Sequence, residues 1–189
     1  EGILMSVCHK DRNSNIYKDM TNHGIPIVFF DRKVEGIDAS TVRIDDYLMA
    51  FFMVERMIRS GCRKIVHLAG PDHISNGYDR HRGYREALEK FSIPYDKRYV
   101  IQGGLSAEEG AAAMEKFMSQ GLDIDGLFGF TETSTLGAKS TLQKMNYRIP
   151  EDVSLCCISG TTLCTLVHPT VTAVEQPVVE MATLSCRLL

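Results

Sequence analysis

Several side chains able to grip hydroxyl or carboxylate groups close or follow apolar runs in this 189-residue chain: Ser6, Asp31, the loop from Pro71 to Arg80, Thr131-Glu132 and Ser159-Gly160. The runs read as strands. In an open parallel sheet, ligands sit beyond the carboxyl ends of the strands, where loops leave for the helices and backbone groups converge. A carboxylate accepts two hydroxyl protons, and a guanidinium donates in a fixed fork to vicinal oxygens or to a carboxylate. The set suits a polyol. The plain alternatives are a turn at Asp31, a solvated helix-start residue at Arg80 and ordinary Ser-Gly-Thr-Thr loop chemistry at Ser159.

Other chemistry finds little support. There is no Gly-x-Ser-x-Gly elbow, P-loop or dinucleotide fingerprint. The six histidines are scattered without helical ligand spacing, and His67 reads as a packed strand residue. Asp45-Asp46 invites a metal reading, but a pair capping a helix start explains it better. Six cysteines lack metal-ligand spacing, and the adjacent Cys156-Cys157 inside an apolar run points to reduced thiols in a cytoplasmic protein. No catalytic residue, metal or cofactor is expected, and an enzyme is disfavoured.

Composition narrows the partners. With 44% hydrophobic and 24% charged residues the chain can bury a core, and a net charge of -3 offers phosphate no general attraction. Duplex DNA binding by these residues themselves is therefore not expected. No stretch approaches the roughly 18 to 20 apolar residues of a membrane helix, so no membrane partner is expected.

These residues must be positioned by alternating strands and helices. Strand-like runs are Gly2 to Ser6, Ile25 to Asp31, Thr41 to Ile44, Lys64 to Gly70, Tyr99 to Gln102, Gly126 to Phe130, Ser154 to Ile158 and Val171 to Val174. Several are apolar throughout, as strands covered on both faces by helices must be. Helical stripes follow: Ala50, Phe51, Val54, Met57 and Ile58 up to Gly61; Tyr84, Ala87, Leu88 and Phe91; and Ala111, Met114, Phe117 and Met118 behind the capping-box pair Ser106 and Glu109. A fourth helix carries Ala138, Leu142 and Met145, and a fifth opens at Pro177. The order predicts parallel α/β layers.

Read in sequence, several segments resemble the lactose/galactose repressor family. They are Gly24-Ile25-Pro26-Ile27-Val28-Phe29-Phe30-Asp31-Arg32, Val42-Arg43-Ile44-Asp45-Asp46, Gly61-Cys62-Arg63-Lys64-Ile65 with Ala69-Gly70-Pro71, and Arg80-His81-Arg82-Gly83-Tyr84. Leu136-Gly137-Ala138, Ile149-Pro150-Glu151-Asp152-Val153-Ser154 and Val171-Thr172-Ala173-Val174-Glu175-Gln176-Pro177 complete the set. Their order and spacing over essentially the whole chain make the resemblance specific.

The resemblance implies a two-lobed periplasmic-binding-protein-like fold of class α/β, with parallel sheets flanked by helices and a ligand held in the cleft. Residues 1–46 would be the second half of an incomplete N-terminal lobe, 47–170 the C-terminal lobe, and 171–189 a crossover strand and return helix. It implies a cytoplasmic, homodimeric repressor whose effector-binding region takes a sugar-like small molecule and meets operator DNA through a helix-turn-helix head absent from this sequence. A periplasmic-type sugar-binding protein for transport is the alternative on the same fold. The implied effector contacts are Ser6, Asp31, Arg80, Thr131, Glu132 and Ser159. Thr131-Glu132 replaces the usual Asn-Asp pair, and Ser159 replaces an acidic residue, so the sugar's identity does not carry over. Arg80 is expected near a helix start with its guanidinium free, so that Arg80→Ala weakens binding and leaves the fold intact.

Overall fold

The computed structural model describes residues 1–8, 13–71 and 73–189. In chain order the elements are β1 (Ile3–Met5), α1 (Ser14–Asn22), β2 (Ile27–Phe30), β3 (Ser40–Val42), α2 (Asp46–Arg59), β4 (Ile65–Ala69), α3 (Ser75–Lys90) and β5 (Val100–Gln102). They continue with α4 (Ala107–Met118), β6 (Gly126–Gly129), α5 (Glu132–Lys144), β7 (Ser154–Ile158), α6 (Leu163–Leu166), β8 (Thr172–Val174) and α7 (Val178–Leu188). Two compact units result: the first comprises Glu1–Asp45, Asp72–Tyr78 and Pro177–Leu189, the second Asp46–Pro71 and Asp79–Gln176.

The first unit is a three-stranded parallel sheet in the order β1-β2-β3. Its central strand is buried at Ile27, Val28 and Phe29, as a strand covered on both faces must be. Ile27 and Phe29 enter a core with Val7, Tyr17 and Val34, where the Tyr17 ring meets Phe29 edge-on at 5.6 Å. Tyr17 comes from α1, which the apolar pattern had not announced. Its nine residues carry few apolar side chains, and among the described residues no side chain caps its start. Helix α7 packs on β2 and β3.

The second unit is a five-stranded parallel sheet in the order β5-β4-β6-β7-β8. Every pairing is parallel, with β4, β6 and β7 central and almost wholly buried, so their uninterrupted apolar runs are accounted for. Met114 and Phe117 of α4 and Ala138 and Leu142 of α5 cover Val66, Leu68, Leu127 and Cys157 in one core. On α2, Met57 meets Cys156 of β7. On α3, Tyr84 stacks on His67 of β4 at 5.1 Å between ring centroids. The Ser106–Glu109 capping box is present at the start of α4.

Helices α4 and α5 touch backbone to backbone. A Cβ on Gly137 would collide with the Ala107 carbonyl oxygen, and one on Gly110 with the Ser134 carbonyl oxygen. Neither obstacle is a flexible side-chain end, so Gly137→Ala should force the pair apart. A loss of about 1–3 kcal/mol is expected, the range for overpacking a filled core, measured as a fall in the urea midpoint with an unchanged slope. A neutral effect would show that the pair adjusts without cost.

Two sequence expectations change and one helix is new. Helix α3 begins at Ser75, so the segment from Pro71 to Arg80 is mostly helix and Arg80 lies in the second turn; Asp72 of that segment lies outside the described residues. The run Tyr99 to Gln102 divides into a 3-10 turn over Lys97–Tyr99, capped by the Asp96 side chain, and β5. Helix α6 has only four residues, too few to show a period.

Candidate functional site

At the carboxyl ends of β4, β6 and β7 in the second unit, polar side chains converge on Arg80. Its side chain is only 1% exposed. Nε donates to Asp46 Oδ1 at 2.7 Å, and Nη2 lies 2.7 Å from the same oxygen. Nη1 donates to the Phe130 carbonyl, Nη2 reaches Ser159 Oγ at 3.4 Å, and the guanidinium carbon lies 4.4 Å from the Phe130 ring centroid. The expected free guanidinium is thus corrected: Arg80 is a buried ion pair that stitches the start of α2 to the ends of β6 and β7. Asp46, read from sequence as one of a capping pair, is equally buried as its partner.

Ser159 is the junction of this network. Its hydroxyl accepts from Gln176 Nε2 at 2.6 Å as well as from Arg80, joining the ends of β7 and β8. Its φ of 62° is left-handed, a conformation a non-glycine residue keeps only where its surroundings fix it.

Thr131 and Glu132 take different roles from each other. Thr131 is the N-cap of α5: its hydroxyl accepts from Ser134 N at 3.4 Å and lies 3.0 Å from Ser134 Oγ. Glu132 is almost fully buried, and both its oxygens are engaged. Oε1 accepts from the backbone of Thr161 and of Cys164, each at 2.9 Å, and Oε2 accepts from Thr161 Oγ1 at 2.7 Å. Burial pushes its pKa up, but hydrogen bonds from Thr161 and Cys164 outweigh that and leave it below the usual glutamate value. In turn, burial and the adjoining Glu132 carboxylate raise the Cys164 thiol to about 11.

Ser6 and Asp31 belong to the first unit. Ser6 follows β1 and is half-buried. Asp31 leaves β2 with φ 64°, and its N–H donates to the Val42 carbonyl at 2.9 Å. Its carboxylate lies 3.4 Å from Arg32 Nε, while Arg32 Nη1 donates to the Val7 carbonyl at 2.8 Å. Arg32 therefore ties the loop after β1 to the end of β2.

The residues that sequence reasoning left out are Asp46, Gln176 and Arg32. Each lay inside a quoted motif, Asp45-Asp46, Gln176-Pro177 and Asp31-Arg32, but nothing local indicated its distant partner. Among the described residues no cluster of three or more His, Cys, Asp or Glu side chains could hold a metal ion, and no helix is long and apolar enough to cross a membrane.

In open parallel α/β sheets small ligands sit beyond the carboxyl ends of the strands, where these side chains lie. The chain belongs to the family of periplasmic binding protein-like domains, which matches residues 54–189. It is 30% identical over 191 residues to the HTH-type transcriptional regulator CelR of Thermobifida fusca, covering 100% of this chain and 56% of the relative. To the ribose operon repressor of Halalkalibacterium halodurans it is 27% identical over 173 residues, 92% of this chain and 51% of the relative. A solved transcriptional regulator CelR-cellobiose complex superposes with a TM-score of 0.91 at 30% identity, covering 100% of this chain and 57% of that one. The chain spans about half the length of the curated relatives it matches.

Proposed function

We propose that this chain is the ligand-sensing region of a bacterial transcription repressor that takes a sugar or sugar-like effector and changes operator affinity in response. The observation that carries this reading is the likeness, over the whole chain, to a regulator solved with cellobiose. The network of Arg80, Ser159 and Gln176 at the strand ends of the second unit supports it, with Thr131 just beyond β6 and, in the first unit, Ser6 and Asp31 just beyond β1 and β2. The first unit then belongs to an N-terminal lobe and the second is a C-terminal lobe; the bounds read from the sequence, 1–46, 47–170 and 171–189, shift because β8 pairs with β7 in the second unit and the return to the first begins at Pro177. Operator DNA is met through a helix-turn-helix region outside this sequence, in a cytoplasmic homodimer without enzymatic turnover. A hundredfold change in operator affinity requires about 2.7 kcal/mol of coupling between effector and DNA sites.

Thermal melts with cellobiose, ribose, galactose and gluconate test the reading. A sugar at about 100 times its dissociation constant stabilises the domain by about 2.7 kcal/mol, which in a chain of this size raises the melting temperature by roughly 5–10 °C. Chromatography of the sugar afterwards should recover it unchanged. A panel that leaves the melt unmoved at 10 mM, or a sugar converted to product, would overturn the proposal.

A further inference from the structure

We infer that Glu132 is a positioning residue rather than an effector contact: its carboxylate pins the segment from Thr161 to Cys164, and so sets Ser159 against Arg80 and Gln176. The inference rests on the reading of these strand ends as the effector site and assigns one of its residues a different task.

The geometry carries it. The segment after Ser159 leads into α6, whose Cys164 N–H is shared between the Thr161 carbonyl at 3.1 Å and the Glu132 carboxylate at 2.9 Å. From the first position of α5, Glu132 also accepts from the N–H and the hydroxyl of Thr161. Three donors on one carboxylate, two of them backbone, leave it little capacity for a ligand hydroxyl. Its lowered pKa fits an ionised group held by those donors.

What is pinned is a strained junction. Ser159 keeps φ at 62° with Gly160 N bonded to the Val174 carbonyl at 3.0 Å on one side and the Glu132-held segment on the other. From that conformation its hydroxyl meets Gln176 Nε2 and Arg80 Nη2. Losing the carboxylate frees the segment, lets Ser159 relax, and releases the Gln176 amide and one arm of Arg80. A glutamate at this position, one methylene longer than an aspartate, has the reach to span from α5 to both ends of that segment.

Backbone and side-chain amide exchange, measured by NMR on the whole chain without ligand, tests this. In Glu132→Gln the Thr161 and Cys164 amides should exchange about ten- to hundredfold faster, the range for losing a charged hydrogen bond. The Gln176 side-chain amide should lose its slowed exchange and displaced shift, while Val66 and Leu68 of β4 stay as in wild type. Thr161→Val removes the hydroxyl arm, together with the bond that hydroxyl accepts from Leu163 N, and should show a smaller change at the same amides; it decides the matter if Glu132→Gln fails to fold. An unmoved Gln176 signal in the variant that folds, or acceleration spread evenly over the sheet, overturns the inference. Cellobiose melts on wild type report separately on the effector reading, because the exchange experiment needs no ligand.

Discussion

Asp46→Ala should cost about 3–5 kcal/mol of stability, a large part of the 5–15 kcal/mol that a domain usually possesses. Arg80 and Asp46 are each 1% exposed and meet at 2.7 Å. A guanidinium does not give up its proton, so removing the carboxylate strands a positive charge in the interior. The Phe130 carbonyl and Ser159 hydroxyl would still accept from it but carry no compensating charge. The reverse change is nearly as costly: Arg80→Ala leaves the Asp46 carboxylate buried without its guanidinium. The sequence-based expectation that Arg80→Ala spares the fold is accordingly replaced by a lowered melting temperature. Replacing both by leucine should recover most of the loss, because a buried pair gives back much of its attraction as desolvation. Urea unfolding of wild type, both alanine variants and the variant carrying both alanines measures the coupling directly, with the leucine pair compared beside them. Single losses below about 1 kcal/mol, the scale of an exposed pair, would show that water reaches the pair.

That correction marks where the sequence is readable. Apolar runs such as Ile65 to Ala69 and Ser154 to Ile158 state their burial outright, and strand ends follow from them, so Ser159, Thr131 and Asp31 could be placed on rims before any coordinates. What side chains do at those rims depends on partners far along the chain. Asp46 and Arg80 are 34 residues apart and Glu132 and Cys164 are 32 apart. No periodicity records such pairings. The same holds for α1, which survives on Tyr17 meeting Phe29 rather than on its own pattern. A site residue's location is thus local information, and its availability to a ligand is not.

His67 gives the fold a pH dependence that the sequence could not announce. The ring is fully buried in β4, stacked between Tyr84 at 5.1 Å and Phe128 at 4.9 Å, with His81 edge-on at 5.7 Å. Nδ1 lies 3.2 Å from the Phe128 carbonyl, and Nε2 has no hydrogen-bond partner among the described residues. Burial, opposed by the Phe128 carbonyl and aided by the nearby His81 and Arg80, pushes its pKa down to about 3 from the ordinary 6.5. Between those values the unfolded chain takes up a proton that the folded chain refuses, so stability falls as pH falls, by up to about 1.4 kcal/mol per pH unit. Above about pH 6.5 both states are neutral and the ring contributes no slope. Carboxylates with lowered values, Glu132 and Asp152 among them, act on the acid side of about pH 4.5. The window from about 6.5 to 4.5 therefore isolates the histidines. His67→Phe keeps a stacked ring and removes the titration, while His81 stays in both proteins. Urea unfolding across that window should show wild type losing about 2–3 kcal/mol more than the variant. Parallel curves, or a His67 ring resonance that titrates near pH 6.5, would mean that the ring is hydrated or paired in the folded state.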